Sequence, residues 1–600
     1  MDELKRPEKN RPNMGVPSEP NEVGPVERGR ARERAEFSAE AGNKAERTLR
    51  GRGGPGGPGG PGGPGGGPGG PPQIKLPDLV WDNMTLDWAQ YQNKWEKSED
   101  GTYYALKFVY YATKLISRDH QYMNIYVPAA YLNADGTVNE NGTCHGYTAR
   151  TAPIVMYNNC GGWMSSTPGG VRANYIAEGF VHVDVGARSR NLGAGGKAPS
   201  ACVDQKAAVR MLRLHDQNIP GDKERIVSCG GSGGGQMSSI IGATGNMPEY
   251  YPDLYAIGAA GVELGADGSF ASTIRDDIFA SQCYCPIADI NNADMAYAWQ
   301  RFDDPEIEYE GFGIPGRQTL TLFQLALQND LAAAYRKYLN SLELKNEQGV
   351  TLKLNPDLRS GTFYDQILGN ISDALNKWLS ANVAEDGSLS FELTRGFEKT
   401  PVSYPSVDAY LASLVDVDKW LVKENGAYRV TDLKGFHRGT RLARGKATPG
   451  FDTFYCSAEN NAFGKPEEDG VHFSAADGRV MEEHLDKYKT LEGIEACDIE
   501  AYIADSKRED LKCQTWLMNA THILLDNASG KTHSDFAWHW RTRNGTADEH
   551  TSFTIAYNLC MAAKKAGADV DYSLIWNAGH GDVDGDGTGT FEEWVHRICK

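Results

Sequence analysis

The stretch RIVSCGGSGGGQMSSIIG (Arg225–Gly242) indicates both a fold class and a candidate nucleophile. Arg225–Ser228 predicts a strand and Gln236–Gly242 a helix of small residues, with Gly230-Gly231-Ser232-Gly233-Gly234 between them. This G-x-S-x-G pattern is typical of a tight strand-to-helix turn that exposes a serine hydroxyl, and the helix N-terminus favours negative charge nearby. Ser232 is therefore the predicted nucleophile. The alternative is a loop that only turns the chain or binds phosphate, but the Lys-Ser/Thr of a P-loop is missing.

Strands and helices alternate along the chain before this stretch. Asn124–Pro128 (NIYVP), Ala152–Tyr157 (APIVMY) and Phe180–Val185 (FVHVDV) have the composition of buried strands. Val203–Leu214 has the helical spacing of apolar residues. Such alternation predicts an α/β fold with a mostly parallel sheet that helices cover on both faces.

The alternation is interrupted once. After residue 285, long polar helices such as Leu320–Leu342 and irregular stretches replace it. It returns with a helix at Ser552–Lys565, a strand at Val570–Trp576 and a helix at Phe591–Cys599. One α/β core with a large inserted domain explains this order. The predicted boundaries are a disordered Gly/Pro-rich tail at 1–74, the first part of the core at 75–284, the insertion at 285–525 and the second part of the core at 526–600.

The charge and composition of the chain exclude several kinds of partner. Lys and Arg total 61 against 80 Asp and Glu, a formal net charge of −19. Binding to nucleic acid or to an anionic membrane requires a basic surface, so neither partner is expected. No apolar run approaches the roughly 18 residues of a membrane span, and the first residues lack the apolar stretch of a secretory signal. With an odd number of cysteines, 11, and no scaffold spacing, the sequence predicts a cytoplasmic protein.

A serine nucleophile requires an acid and a base later in the chain. His580, in the glycine-flanked turn after the strand Val570–Trp576, would lie at the carboxyl edge of the sheet, where the serine also emerges. Asp548 precedes it by one helix and one strand, and a buried carboxylate there would hold the imidazole in the required tautomer. The alternatives are a solvated loop histidine and an aspartate that only caps a helix. The competing candidates are Glu549 and Asp535 for the acid, and His533, His539 and His596 for the base.

The oxyanion of the reaction needs backbone N–H donors. Gly233, directly after the serine, supplies one in this kind of turn. The second is expected from the loop that follows an early strand, where Gly161-Gly162-Trp163 is found. Gly162 is the preferred donor and Gly161 the alternative.

Several stretches together resemble one family. They are GDKERIVSCGGSGGGQMSSIIGATGN around Ser232, APIVMYNNCGGW, CPIADINNADMAYAWQ, ENNAFG and HWRTRNGTADEHTSF. In order and spacing they are similar to bacterial tannase of subtype B, over roughly residues 85–600. The resemblance implies an α/β-hydrolase core with a lid domain inserted between nucleophile and acid, and hydrolysis of galloyl esters through an acyl-enzyme. It implies the same triad, Ser232, Asp548 and His580.

The resemblance also implies contacts with the substrate. It places Lys446 (RGKATPGF) and Glu459 (SAENNAFG) against galloyl hydroxyls, although the residues alone would be assigned to solvated loops. A buried phenol needs such partners, because unpaired donors and acceptors are costly. Where the family has a second aspartate, two positions after the triad acid, this chain has His550. His550 is therefore a further candidate substrate-binding residue, and one that changes the charge balance with Lys446.

Two patterns raise the question of a metal. Residues 582–593 match the twelve-residue calcium loop, so a structural Ca²⁺ is one hypothesis. Gly589 stands where an apolar residue is usual and no helix precedes the loop, so an acidic turn that caps the last helix is the alternative. Cys283-Tyr-Cys285 lacks a second ligand pair, which argues against zinc there. The residues of the calcium pattern are Asp582, Asp584, Asp586, Gly587, Thr590 and Glu593.

The sequence thus predicts a serine ester hydrolase that cleaves a small phenolic ester, galloyl by resemblance, without a cofactor for catalysis. One alternative is a broader aryl or feruloyl-type carboxylesterase. Another is a binding protein that kept the hydrolase fold and lost the chemistry.

Overall fold

The computed structural model describes residues 84–310, 316–395, 398–440, 443–456, 458–585 and 587–600. The predicted tail at 1–74 lies outside these ranges. The strands are β1 (Glu96–Lys97), β2 (Tyr103–Tyr110), β3 (Tyr122–Pro128), β4 (Thr143–Cys144), β5 (Tyr147–Thr148), β6 (Ile154–Asn158), β7 (Val181–Val185), β8 (Ile226–Gly231), β9 (Val262–Leu264), β10 (Phe270–Ser272), β11 (Ala280–Tyr284), β12 (Glu308–Tyr309), β13 (Leu389–Arg395), β14 (Glu398–Tyr404), β15 (Leu421–Glu424), β16 (Ala427–Val430), β17 (Ala443–Arg444), β18 (His539–Gly545) and β19 (Asp569–Ile575).

Helices follow most of the longer strands. They are α1 (Ala173–Ala177), α2 (Ser200–Leu214), α3 (Gly233–Ala243), α4 (Tyr251–Ala256), α5 (Ala293–Arg301), α6 (Leu322–Leu342), α7 (Thr362–Asn382), α8 (Val407–Leu411), α9 (Val417–Trp420), α10 (Leu433–Thr440), α11 (Ala475–Glu483), α12 (Leu485–Tyr488), α13 (Ala496–Ser506), α14 (Glu509–Leu517), α15 (Ala520–Ala528), α16 (Phe553–Ala566) and α17 (Phe591–Cys599).

The core is a nine-stranded sheet in the order β1-β2-β3-β7-β6-β8-β11-β18-β19. The first three strands pair antiparallel and β3 pairs antiparallel with β7, whereas all pairs from β7 to β19 are parallel. The central strands β6 and β7 are buried along their whole length, as their apolar sequences require. The predicted α/β class with a mostly parallel sheet is confirmed.

Helix α2 carries charged residues that are buried in this core. The apolar spacing of its sequence predicts one buried face, but Ser200–Arg213 is buried on every side. Its charged residues are paired: Asp204 lies 2.8 Å from Arg188, and Lys206 lies 2.9 Å from Asp276. Ion pairs therefore allow the polar face of the helix to be covered as well.

Residues 285–538 lie between β11 and β18, which are neighbours in the sheet. We call this segment the insertion. Its long helix α7 packs against the edge strand β19, and α15 packs against α3 and α16 of the core. The insertion therefore rests on the part of the sheet that carries β8, β18 and β19. Among the described residues, no helix combines the length and apolar character needed to cross a membrane.

Candidate active site

The turn between β8 and α3 holds Ser232 in a strained conformation. Its φ of 57° and ψ of −121° are unusual for any residue with a side chain. The serine N–H donates to the Tyr284 carbonyl at 3.0 Å, and Gln236 N–H donates to the serine carbonyl at 2.9 Å, so the first turn of α3 begins at the serine. An ideal Cβ at Gly234 would lie only 2.2 Å from the Asn158 carbonyl oxygen. The glycines thus let the turn pack against β6, as expected of a nucleophile elbow.

Asp548 and His580 form a buried pair. The Nδ1 atom of His580 lies 3.1 Å from each carboxylate oxygen of Asp548. The Asp548 side chain is fully buried and that of His580 is 11% exposed. Burial opposes the charge of both groups, but the His580 charge and hydrogen bonds hold the pKa of Asp548 well below its usual range. The carboxylate is therefore ionised, and it fixes the orientation of the imidazole.

The serine and the pair lie at the same carboxyl edge of the sheet. Ser232 follows β8, Asp548 follows β18 and His580 follows β19. These strands and β11 are neighbours in the sheet, in the order β8-β11-β18-β19. An ideal Cβ at Gly231 would lie 2.4 Å from Oδ1 of Asp582, two residues beyond His580. The loop that carries the histidine therefore touches the turn that carries the serine.

Cys285 lies next to Asp548 and His580. It follows β11, and its donor atom lies within 4.8 Å of those of Asp548 and His580. Its Sγ also lies 3.5 Å from the Gly581 carbonyl oxygen. Burial lowers the pKa of His580, but Cys285 and Asp548 together raise it well above its usual value. The sequence pattern raises Cys285 only as a candidate zinc ligand. Its place directly after β11 is a signal for a site residue, because Tyr284 pairs with Gly231, the residue before the serine.

The loop Cys160–Trp163, here called the oxyanion loop after its predicted role, lies against the start of α3. An ideal Cβ at Gly233 would lie 2.4 Å from the Cys160 carbonyl oxygen, 3.0 Å from Trp163 N and 3.5 Å from Gly162 N. Within the loop, Gly161 N–H donates to Asn159 and Trp163 N–H donates to Cys160. This bonding favours Gly162 over Gly161 as the oxyanion donor.

Arg190 holds the oxyanion loop and was not predicted from the sequence. Its Nε donates to the Gly162 carbonyl at 2.7 Å, and the residue is only 5% exposed. Burial lowers the pKa of Arg190, and the nearby charge of Glu459 acts in the opposite direction. Glu459 is buried in the 3₁₀ turn Ala458–Ala462, which packs against both the oxyanion loop and the segment of Arg190. Glu459 thus belongs to a turn that contacts the Cys160–Trp163 loop.

His550 lies next to His580, and Lys446 lies near His550. The rings of His550 and His580 are 5.2 Å apart and nearly perpendicular. An ideal Cβ at Gly445 would lie 2.9 Å from Nδ1 of His550, which brings the Lys446 backbone alongside. Lys446 Nζ donates to the Gly450 carbonyl at 2.9 Å. Burial, and then the positive charge of His580, lower the pKa of His550 to about 3, so this imidazole is neutral.

Known proteins resemble the chain in sequence and in architecture. A family model described as BD-FAE matches residues 145–261. The structure of a Fusobacterium nucleatum tannase is similar with a TM-score of 0.63 and 28% identity, covering 83% of this chain and 95% of that one. The native tannin acyl hydrolase of Lactobacillus plantarum is similar with a TM-score of 0.63 and 27% identity, covering 87% and 99%. A comparison with curated proteins finds no match.

The chain is a carboxylic ester hydrolase. It has an α/β-hydrolase fold and resembles the bacterial tannases over most of its length, as the sequence predicted. The alternative of a non-catalytic binding protein is correspondingly disfavoured.

Three of the five competing acids and bases make contacts elsewhere in the hydrolase. Asp535 accepts a hydrogen bond from Asn246 at 3.0 Å. His539 lies 2.7 Å from Asp569, and His596 lies 3.0 Å from Glu178. These contacts favour Asp548 over Asp535, and His580 over His539 and His596.

The carboxylates of the acidic loop after His580 accept hydrogen bonds from the core and from the loop itself. Asp586 lies outside the described residues, so the calcium hypothesis stays a prediction. Glu593 closes a capping box with Thr590 at the start of α17, the role that the alternative assigns to this loop. The shortest contacts are Tyr157 with Asp582 at 2.6 Å, Arg541 with Asp584 at 2.7 Å and the Thr590 N–H with Glu593 at 2.8 Å.

Proposed function

We propose that this hydrolase cleaves galloyl and related phenolic esters through an acyl-enzyme on Ser232. The main support is the position of the strained serine at the same sheet edge as the hydrogen-bonded pair Asp548–His580. Tannin acyl hydrolases that resemble the chain were solved in complex with ethyl gallate and with 3,4-dihydroxybenzoate. Both compounds carry a phenolic ring next to a carboxyl carbon, which is the substrate chemistry proposed here.

In this mechanism the neutral form of His580, which becomes more populated as the pH rises, takes the proton of the Ser232 hydroxyl as the oxygen attacks the ester carbonyl carbon. The backbone N–H groups of Gly162 and Gly233 stabilise the oxyanion. The C–O bond to the alcohol then breaks, and the alcohol leaves with the proton from His580. A water molecule repeats both steps on the acyl-enzyme, releases the aromatic acid and restores the serine. Asp548 orients the imidazole throughout, and no cofactor takes part.

The phenolic ring of the substrate would lie between Glu459 on one side and Lys446 and His550 on the other. Lys446 and Glu459 belong to the insertion, and His550 belongs to the core. The neutral His550 lies beside His580, the Lys446 backbone lies beside His550, and Glu459 lies beside the oxyanion loop. A cation, a neutral imidazole and a carboxylate offer both donors and acceptors to ring hydroxyls. Because the insertion supplies two of the three, we infer that it acts as a lid over the substrate.

The variant Ser232→Ala tests the nucleophile. Hydrolysis of methyl gallate should fall by about 10⁶-fold, because the covalent route is lost while the fold is kept. A fluorophosphonate probe should label the wild type and not the variant. If a folded Ser232→Ala protein keeps turnover within tenfold of the wild type, the proposed mechanism is wrong.

His550 favours a second candidate function, a broader aryl or feruloyl-type esterase. A neutral imidazole selects phenol hydroxyls less strongly than a carboxylate does, since charged hydrogen bonds are about twice as strong. Methyl gallate, methyl protocatechuate and methyl ferulate should be compared for the wild type and for His550→Asp. A wild type that hydrolyses ferulate as fast as gallate would favour the broader esterase, and Lys446→Met should then leave the three rates in the same ratio.

A further inference from the structure

Three metal-ligating side chains converge at the amino edge of the sheet, far from the serine along β6 and β8. We call His145, Glu178 and His596 the His–Glu cluster. His145 lies in the two-residue turn between β4 and β5, and Glu178 follows α1 just before β7. His596 lies in the last turns of α17, close to the end of the chain. Three segments distant in sequence thus meet at one place on the surface.

The donor atoms of the cluster have the spacing of metal ligands. Oε2 of Glu178 lies 3.2 Å from Nε2 of His145 and 3.0 Å from Nε2 of His596. All three donor atoms lie within 4.8 Å of one another. Zinc ligands lie about 2.0–2.2 Å from the ion, so neighbouring donors of a tetrahedral site are about 3.3 Å apart. Small side-chain shifts are therefore enough to place one ion among the three atoms.

The orientation of the rings agrees with a shared ion. The imidazoles of His145 and His596 lie 4.9 Å apart at 20°, with both Nε2 atoms facing the same carboxylate oxygen. The other nitrogen of His596, Nδ1, lies 2.9 Å from the Tyr147 hydroxyl. A histidine that binds a metal ordinarily uses its second nitrogen in such a contact, which fixes the tautomer and leaves Nε2 as the ligand.

The cluster is accessible, and one of its residues occupies an unusual backbone position. The side chains of His145, Glu178 and His596 are 49%, 33% and 13% exposed, so an ion can enter from solvent. His145 has a φ of 46° and is followed by Gly146 at 85°. Two-residue hairpin turns of this kind strongly prefer Asn, Asp or Gly at the first position. A histidine at position 145 therefore has a conformational cost, and binding a metal ion would give this residue a function.

We propose that the His–Glu cluster binds one divalent transition-metal ion, with Zn²⁺ as the best match for two imidazoles and one carboxylate. The ion would connect α17 to the β4–β5 hairpin and to α1, leaving its fourth position to water. It would thereby hold the C-terminal helix on the core and stabilise the fold. This proposal does not depend on the proposed function.

The test uses the full chain with the exposed thiols removed by Cys497→Ser and Cys513→Ser, because thiolates also bind zinc. Calorimetric titration of the EDTA-treated protein with ZnCl₂ should show one ion per chain. At a hundredfold excess over Kd the thermal midpoint should rise by about 2–3 °C. Co²⁺ should bind with an absorption spectrum of nitrogen and oxygen ligands.

Variants then assign the ion to the cluster. His145→Asn removes one ligand and places a favoured residue in the turn, so the fold should be kept while zinc affinity falls at least tenfold. Tyr147→Phe should weaken binding about tenfold through the tautomer of His596. His539→Ala, at the pair of the half-buried His539 with Asp569, is the matched control and should bind as the parent does.

Three outcomes would overturn the proposal. One is the absence of heat and of any midpoint shift at millimolar Zn²⁺, which would leave the cluster as a hydrogen-bonded His–Glu–His contact. Another is binding that His145→Asn does not weaken. The third is a Co²⁺ spectrum with thiolate charge-transfer bands, which would place the ion on a cysteine.

Discussion

Replacing Asp548 by asparagine should inactivate the hydrolase without changing its shape. Oδ1 of Asp548 accepts the backbone N–H groups of His550 at 2.8 Å and Thr551 at 3.1 Å. The amide of asparagine has only one oxygen, and these two donors require it at that position. Its NH₂ group must then take the place of Oδ2, where it faces the Thr551 hydroxyl and Nδ1 of His580.

The consequence is a reversed tautomer of His580. An NH₂ group at this position donates to Nδ1, so the imidazole carries its proton on Nε2 and does not accept the proton of Ser232. Loss of the correct tautomer lowers kcat by about 10⁴ in a serine triad. At 1.36 kcal/mol for each factor of ten, this corresponds to about 5.4 kcal/mol of transition-state stabilisation.

The assay is the initial rate of methyl gallate hydrolysis as a function of substrate concentration. For Asp548→Asn we expect the loss in kcat, with KM changed little, because the side chain does not face the substrate. The matched control is Asp535→Asn, which alters the rival acid near the start of β18 and should stay within about twofold of the wild type. A folded Asp548→Asn protein that retains more than a tenth of the activity, or an equal loss in the control, would refute the assignment.

Three further predictions follow from other contacts of the structure. Gly233→Ala would bring a Cβ to 2.4 Å from a carbonyl oxygen of the oxyanion loop, and kcat for methyl gallate should fall about 10²-fold as the donor is displaced. Cys285→Ala should move the acidic limb of the kcat/KM profile to lower pH, because one of the groups that raise the pKa of His580 is removed and the neutral base forms at lower pH. His472 is buried and lies 2.8 Å from Asp452, which raises its pKa to about 10 against the effect of burial. The stability from this pair should be fully present below about pH 6.5 and lost as the pH rises to about 10, by several kcal/mol in urea unfolding, and Asp452→Asn should abolish that pH dependence.

The elements of the core could be predicted well because their signals are local. Phe591–Cys599 is a helix as predicted, and the strand predicted at Val570–Trp576 is found at Asp569–Ile575. The helix predicted at Gln236–Gly242 begins earlier, at Gly233. Sequence periodicity could not show this start, because glycines carry no side chain from which a buried face can be read.

The candidate site was less accessible to sequence reasoning. Ser232, Asp548 and His580 each follow a strand, so a rule on strand ends brings them to one edge. Arg190 has no such signal, because it reaches the Gly162 carbonyl from a 3₁₀ segment after β7. Its burial next to Glu459 depends on how the insertion packs on the core. Contacts between segments so far apart in the chain leave no periodic pattern in the sequence.

Glycine placement, apolar runs and the order of strands and helices were enough to identify an α/β chain with a serine turn, since these depend on backbone sterics and on burial of neighbouring residues. The state of each functional group depends instead on distant partners. His550 is a neutral imidazole because burial and the charge of His580 disfavour its protonation, and the sequence alone would leave it an ordinary histidine. The fold brings such charges within a few ångströms in a medium of low polarity, where electrostatic interactions are strong, and this is why only the tertiary structure sets the chemistry of the site.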